Sequence, residues 1–203
     1  MRWFGLYGVF LLALSGCAGN QPVINPGSFI AQYGLTPPAP DAFVYCSDHD
    51  CLSKTSISLS SREWQGIISP LKGGARTPAK EREALAVSVG NFETVVAKRA
   101  GTSADRARTG MRNSQQLDCI DESLNTTVFL MMVSAEGLLD FHDLEGTAGR
   151  GGAFDWPHFS STIRERKTNM TYAVDSWFRD SGQRADIIPL SQWKAGWNPP
   201  DFK

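Results

Sequence analysis

Charge of one sign is almost absent as a surplus: Lys and Arg number 20, Asp and Glu 21, and the formal net charge is −1. A nucleic-acid partner calls for a basic face, so this balance gives no reason to expect one. Histidine occurs three times and cysteine four times in the 203 residues. No second Cys or His pair stands near the first in sequence, as structural zinc sites usually require. There is no internal repeat, which removes solenoid and propeller readings. The apolar run from Phe4 to Leu14 falls short of the roughly 20 residues of a spanning helix. What remains is an ordinary globular composition, long enough for one domain.

The N-terminal residues read as an export signal. Arg2 supplies a positive charge, the short apolar run follows, and Leu14-Ser15-Gly16-Cys17 closes it. That closing motif resembles the lipobox of bacterial lipoproteins. It implies a signal peptide over residues 1–16, lipidation of Cys17, and an anchor in the outer membrane facing the periplasm. Residues 17–41 are rich in Pro, Gly, Asn and Gln, and Thr36-Pro37-Pro38-Ala39-Pro40 is stiff and extended. They are expected to be a tether, with the folded domain over residues 42–203.

Export places the remaining cysteines where disulfides persist. Cys46 and Cys51 bound a loop of a length that a disulfide tolerates. A metal held with Asp48, His49 or Asp50 is the alternative reading. Pairing of these two would leave Cys119 as a lone thiol, and so worth inspecting for reactivity.

Periodicity sketches the elements. Ala42–Tyr45 and Thr55–Leu59 read as strands, and Ser60-Ser61 as a helix start. A longer helix begins at Thr77-Pro78, with Leu85, Val89, Phe92, Val95 and Val96 as its apolar stripe. Arg106, Arg108 and Arg112 follow as a solvated basic face, with contact to an acidic substrate as the alternative. Cys119 to Gly137 is the next helix, Gly137 being placed as its C-terminal cap. Leu139–Leu144 reads as a strand and Gly146–Gly152 as a flexible connection. His158–Arg164 and Met170–Phe178 read as strands joined by a Lys167-Thr168-Asn169 turn, and Pro189–Trp193 as a terminal helix.

Three residues in this frame carry chemistry. Cys119 opens a helix in Gln116-Leu117-Asp118-Cys119-Ile120-Asp121-Glu122. His158 lies on one strand in Trp156-Pro157-His158-Phe159, and Asp175 on the next in Tyr172-Ala173-Val174-Asp175-Ser176-Trp177. A helix N-terminus favours a thiolate and offers N–H groups to an oxyanion. An imidazole takes the thiol proton, and a carboxylate fixes the imidazole.

This order of Cys, His and Asp resembles the core of the transglutaminase-like cysteine proteinase superfamily, over about the C-terminal half of the chain. The resemblance implies an α+β papain/transglutaminase-like fold, a catalytic triad of Cys119, His158 and Asp175, and no cofactor. The implied chemistry is thiol attack on a peptide or isopeptide amide through an acyl-thioester, acting on a protein or a peptidoglycan-derived peptide. Gln116 is the chosen oxyanion donor, with Asn113 and Gln115 as alternatives. His142 is the competing base. Asp121 and Glu122 read as complements to the helix dipole, with calcium ligation as the use some relatives make of such residues. Trp156 and Trp177 are candidate cleft walls or core residues. The reading from another class is a non-catalytic periplasmic lipoprotein that binds a partner with the same fold.

Overall fold

A computed structural model describes residues 22–109, 115–151 and 157–201. Its first element is α1 (Pro26–Gln32), capped by Asn25, whose side chain accepts from the Ser28 N–H at 3.2 Å. Next come β1 (Phe43–Ser47) and β2 (Ser53–Ile57), an antiparallel hairpin closed by the Cys46–Cys51 disulfide. In α2 (Ser61–Ile67), Ser60 and Glu63 form a reciprocal capping box, so the helix start legible in the sequence has a physical cause. The short α3 (Ser69–Lys72) leads to α4 (Pro78–Ala100), which Thr77 caps and a left-handed Gly101 ends. Then follow α5 (Cys119–Ala135), β3 (His142–Arg150), β4 (His158–Glu165), β5 (Thr171–Asp175), β6 (Asp186–Pro189) and α6 (Leu190–Lys194).

The second sheet is an antiparallel meander, β3-β4-β5-β6. The fold is therefore mixed α+β, with every strand pairing antiparallel. One face of the meander packs on α5, where Ser161 Oγ donates to the Ser123 carbonyl at 3.1 Å and meets Thr127 Oγ1 at 2.7 Å. The opposite face carries a smaller apolar cluster of Ala148, Ala173, Ile188 and Trp193. The main core lies between the sheet and the helices. Phe92 of α4 stands at its centre, with ring centroids 5.6 Å from Phe43, 6.3 Å from Tyr45 and 5.0 Å from Phe129. Burying side chains of this size stabilises by about 1.5–3 kcal/mol each, so these rings hold β1, α4 and α5 together.

Two expectations are corrected here. The residues from 24 to 35 are not a tether. Ile24 pairs with Thr147 through hydrogen bonds of 2.8 and 2.9 Å at the edge of β3, and Phe29 and Ile30 are buried in the core. Pro and Gly there shape a capped helix and turns rather than a free spacer. Residues 17–21, with the lipidation candidate Cys17, lie outside the described residues.

The glycine-rich segment after Leu144 is likewise strand, not a loose connection. A Cβ at Gly146 would come 2.1 Å from the Ile24 carbonyl, and one at Gly149 would come 3.1 Å from the Phe159 ring. Glycine serves close approach at these positions. The strand β6 was not expected at all; its four residues pair with Tyr172–Asp175.

Candidate active site

Cys119 is the first residue of α5, and Asp118 is its cap. Asp118 Oδ1 accepts from the N–H groups of Ile120 (3.0 Å) and Asp121 (2.8 Å), and the Asp121 carboxylate accepts in return from the Asp118 N–H. This capping box uses up the first-turn donors beyond Cys119. The same two carboxylates hold the disulfide loop. Asp121 accepts from the N–H of His49 at 2.9 Å and of Cys51 at 2.9 Å, and Asp118 Oδ2 from that of Asp50 at 3.1 Å. Those donors converge because Asp48, His49, Asp50 and Cys51 all have positive φ, from 53° to 68°. Consecutive left-handed residues turn successive N–H groups inward to form an anion-binding nest. Burial, then the neighbouring Asp118, push the Asp121 pKa up to about 7, against the hydrogen bonds that favour its charge. Asn125 adds a two-way clasp on the Cys46 backbone, 2.8 and 2.9 Å. The disulfide hairpin is thus tied to the cap and the first two turns of α5, on both sides of Cys119 in the chain.

His158 begins β4 and Asp175 ends β5. The register pairs Ser161 with Val174, so Ser160 stands opposite Asp175. With a side-chain period of two, His158, Ser160 and Asp175 share one face. His158 Nε2 and Asp175 Oδ2 are 2.7 Å apart, and both residues are buried. Trp193 Nε1 donates to the same oxygen at 2.6 Å, while Asp175 Oδ1 accepts from the Trp177 N–H at 3.2 Å. The imidazole is boxed by Trp177, Trp193 and Phe178, at centroid distances of 4.6, 5.3 and 5.4 Å. Its Nδ1 is buried and has no hydrogen-bond partner among the described residues. The acceptor position is therefore open on the nitrogen that Asp175 does not hold.

The approach of thiol to base differs from the expected one. The face bearing His158 and Asp175 is opposite the face that packs on α5, since Ser161 points to α5. Cys119 accordingly meets β4 from the side, at the backbone of residues 157–159. Its thiol donates to the Pro157 carbonyl at 3.5 Å rather than to the imidazole. Nor is its pKa depressed. Burial pushes it up to about 12; the Phe159 N–H and its own N–H favour the thiolate, but Asp118 and Asp175 oppose them. With only 6% of its surface exposed, desolvation outweighs those two N–H groups.

Other candidates find different places. The Gln116 amide donates to the Ala104 carbonyl (3.0 Å) and accepts from the Arg106 N–H (3.0 Å), so it braces the preceding loop and is not an oxyanion donor here. His142 is fully buried, with Nδ1 2.7 Å from Glu81 Oε1 and Nε2 3.1 Å from Arg82 Nη1. Burial would raise the Glu81 pKa, yet His142 and the N–H groups of Asp140 and Phe141 hold it below the usual range. His142 is a clamp between α4 and β3, not a base. Asp121 and Glu122 spend their carboxylates on hydrogen bonds within the fold. Asn113, Arg112 and Trp156 lie outside the described residues.

Several site residues were not anticipated. Tyr33 at the end of α1 reaches Asp50; burial and then that carboxylate push its pKa up to about 12. Trp193 supplies the second donor to Asp175. Glu122 of α5 joins Glu93 and Asp105 in a buried acidic group. Asp105 Oδ1 accepts from the Leu117 N–H at 2.7 Å, Glu93 Oε2 from the Gly182 N–H at 3.0 Å, and Glu122 Oε2 from Ser176 Oγ at 2.5 Å. Burial is the leading cause that raises all three pKa values, Glu93 to about 8 and Asp105 to about 6. A carboxyl spaced to fall on an apolar helix face was the only available signal for Glu93. Compared with known protein families, characterised proteins and solved structures, the chain matches none.

Proposed function

We propose that this chain is a cysteine hydrolase of papain/transglutaminase-like plan, cleaving a peptide or isopeptide bond through an acyl-thioester on Cys119. One observation carries the reading. His158 is held by Asp175 through Nε2 and keeps a buried, unpartnered Nδ1, at a residue whose neighbour's carbonyl accepts a hydrogen bond from the Cys119 thiol. A buried acceptor left open costs about 1–3 kcal/mol, and a proton-accepting role is a reason to retain it.

The thiol's contact with the Pro157 carbonyl sets the starting point of the mechanism. Cys119, kept neutral by burial, leaves the Pro157 carbonyl and gives its proton to His158 Nδ1 as the carbon–sulfur bond forms. Asp175 stabilises the imidazolium that results, and Trp193 stabilises Asp175. The Cys119 N–H, at the head of α5, serves the oxyanion. The imidazolium then protonates the leaving amine, and water resolves the thioester with His158 again as base. The substrate is a protein or a peptidoglycan-derived peptide.

Acylation by p-nitrophenyl acetate tests this without a known substrate. The acetyl group should appear on Cys119 in peptide maps, decay with time, and be absent from His158→Ala. Equal acetylation of both proteins, or none in the folded wild type, would refute the hydrolase. The second reading is a partner-binding lipoprotein, favoured by the burial that keeps the thiol neutral; it predicts no acetylation in either protein.

The motif at Leu14–Cys17 supports a lipid anchor to the outer membrane, facing the periplasm. Cys17→Ser should release the chain to the soluble fraction and abolish palmitate labelling. Membrane association unchanged in that variant would rule the anchor out.

A further inference from the structure

A cavity of about 440 Å³ opens beside the imidazole. Its wall includes His158, Trp177, Phe178 and three cations, Arg108, Arg150 and Lys194, and no acidic side chain lines it among the described residues. In a chain whose formal net charge is −1, three cations around one cavity are a local concentration, not the surface average. A cleft of one charge sign with low-dielectric walls focuses the field and gathers counter-charge.

The fold fixes the cations there by separate means. Arg150, the last residue of β3, donates through Nη1 to the carbonyls of Trp193 at 2.5 Å and Trp197 at 3.0 Å, with its guanidinium 4.6 Å from the Trp193 ring centroid. Burial, then proximity to Arg108, depress its pKa, whereas Asp175 opposes the depression. Arg108 sits at φ 57°, a left-handed conformation uncommon for a side chain of this size. Its N–H is tied to the Trp177 carbonyl at 2.8 Å, and its guanidinium lies 5.8 Å from the ring centroids of both Trp177 and Phe178. Strained backbone of this kind concentrates at ligand sites. Lys194 approaches from α6, one residue after the tryptophan that holds Asp175.

We infer that this cavity is a subsite for a carboxylate of the peptide substrate, bound by Arg108, Arg150 and Lys194 beside His158. The inference rests on the hydrolase reading and adds a preference to it: the bond cleaved is next to an acidic residue or to a free chain terminus. Planar guanidinium groups suit a carboxylate because the two match in fork geometry. Aromatic walls then cover the adjoining aliphatic part of the residue. The carboxylate arrives either as an Asp or Glu side chain or as the α-carboxylate of a C-terminus, and the chemistry of recognition is common to both.

Binding to the full chain carrying Cys119→Ser, followed by tryptophan fluorescence, tests the subsite without need of turnover. Three probes suffice: acetyl-Ala-Glu-Ala-Ala-amide, acetyl-tetra-alanine with a free carboxylate, and acetyl-tetra-alanine-amide. At least one of the acidic probes should bind about tenfold more tightly than the neutral one, as expected for one charge-assisted contact. Added salt should narrow that gap. Whichever acidic probe gains identifies the source of the carboxylate. Arg108→Gln and Lys194→Gln should each narrow the gap as well; Arg150 also braces the C-terminal carbonyls, so it is not the variant of choice. Equal binding of all three probes, no binding of any, or a gap that both substitutions leave intact would overturn the subsite. A protein that acetylates on Cys119 but shows no carboxylate preference loses the subsite and keeps the hydrolase. One that prefers carboxylates without acetylating loses the hydrolase.

Discussion

Asp175→Asn is expected to slow acylation of Cys119 by roughly 10⁴-fold while the chain stays folded, the scale seen when such an orienting carboxylate becomes an amide. Asp175 Oδ2 accepts from Trp193 Nε1 and holds His158 Nε2. An amide that turns its NH₂ to these groups presents a donor to donors and forces the imidazole proton onto Nδ1. That is the nitrogen which has to be empty to receive the thiol proton. An amide that turns its oxygen inward keeps the tautomer but carries no charge to stabilise the imidazolium. Trp193→Phe separates these effects, because it keeps most of the ring and removes one hydrogen bond to the carboxylate. Hydrogen bonds to charged groups are worth about 1.5–3 kcal/mol, so a fall of roughly tenfold or somewhat more is expected. Both rates are read from acetyl-Cys119 in timed peptide maps. An Asp175→Asn rate within about tenfold of wild type would show that His158 works without its carboxylate, and the triad would be withdrawn.

Stability should fall as pH rises from 5 to 8, the reverse of ordinary acid unfolding. Glu93 and Asp105 carry folded-state pKa values of about 8 and about 6, and Glu122 is also raised, all with burial as the leading cause. The unfolded chain ionises the same groups near the ordinary 4.5 for Glu and 3.8 for Asp. Between those limits the folded protein holds more protons than the unfolded one, so its stability declines with rising pH. Each extra proton held contributes about 1.4 kcal/mol per pH unit. Glu81 works the other way: its lowered pKa supports the fold above the usual carboxylate range and loses that support as pH falls further. A maximum near pH 5 follows. Glu93→Gln retains an acceptor for the Gly182 N–H and removes one titrating group, so it should flatten the slope between pH 5 and 8. Chemical unfolding across this range decides the matter; a slope of opposite sign in the wild type would show that these carboxyls ionise in the fold at little cost.

Much of the local architecture was legible because its causes are local. Ser60-Ser61, Thr77-Pro78 and the polar residues before Cys119 mark helix starts within a few residues, and each begins a helix where expected. Period-two and period-3.6 patterns located the hairpin strands and the stripe on α4. The spacing of Cys46 and Cys51 held the disulfide. The composition of residues 24–35 misled, because Pro and Gly describe backbone preference and not whether Phe29 and Ile30 find a core to enter. The glycines of β3 misled for a related reason: flexibility and close packing ask for the same residue.

The sequence by itself determined which side chains have the chemistry: a thiol at a helix head, and an imidazole and a carboxylate on adjacent strands. Only the tertiary structure decided how they are placed. Strand parity turned His158 away from α5, Cys119 meets the Pro157 carbonyl, and burial pushes the thiol pKa up. It placed Trp193 behind Asp175, sank Glu93, Asp105 and Glu122 together, and gathered Arg108, Arg150 and Lys194 from three separate elements around one cavity. Caps and periodicities are set by neighbours in the chain. Desolvation and charge depend on distances between segments, which exist only once the chain has folded.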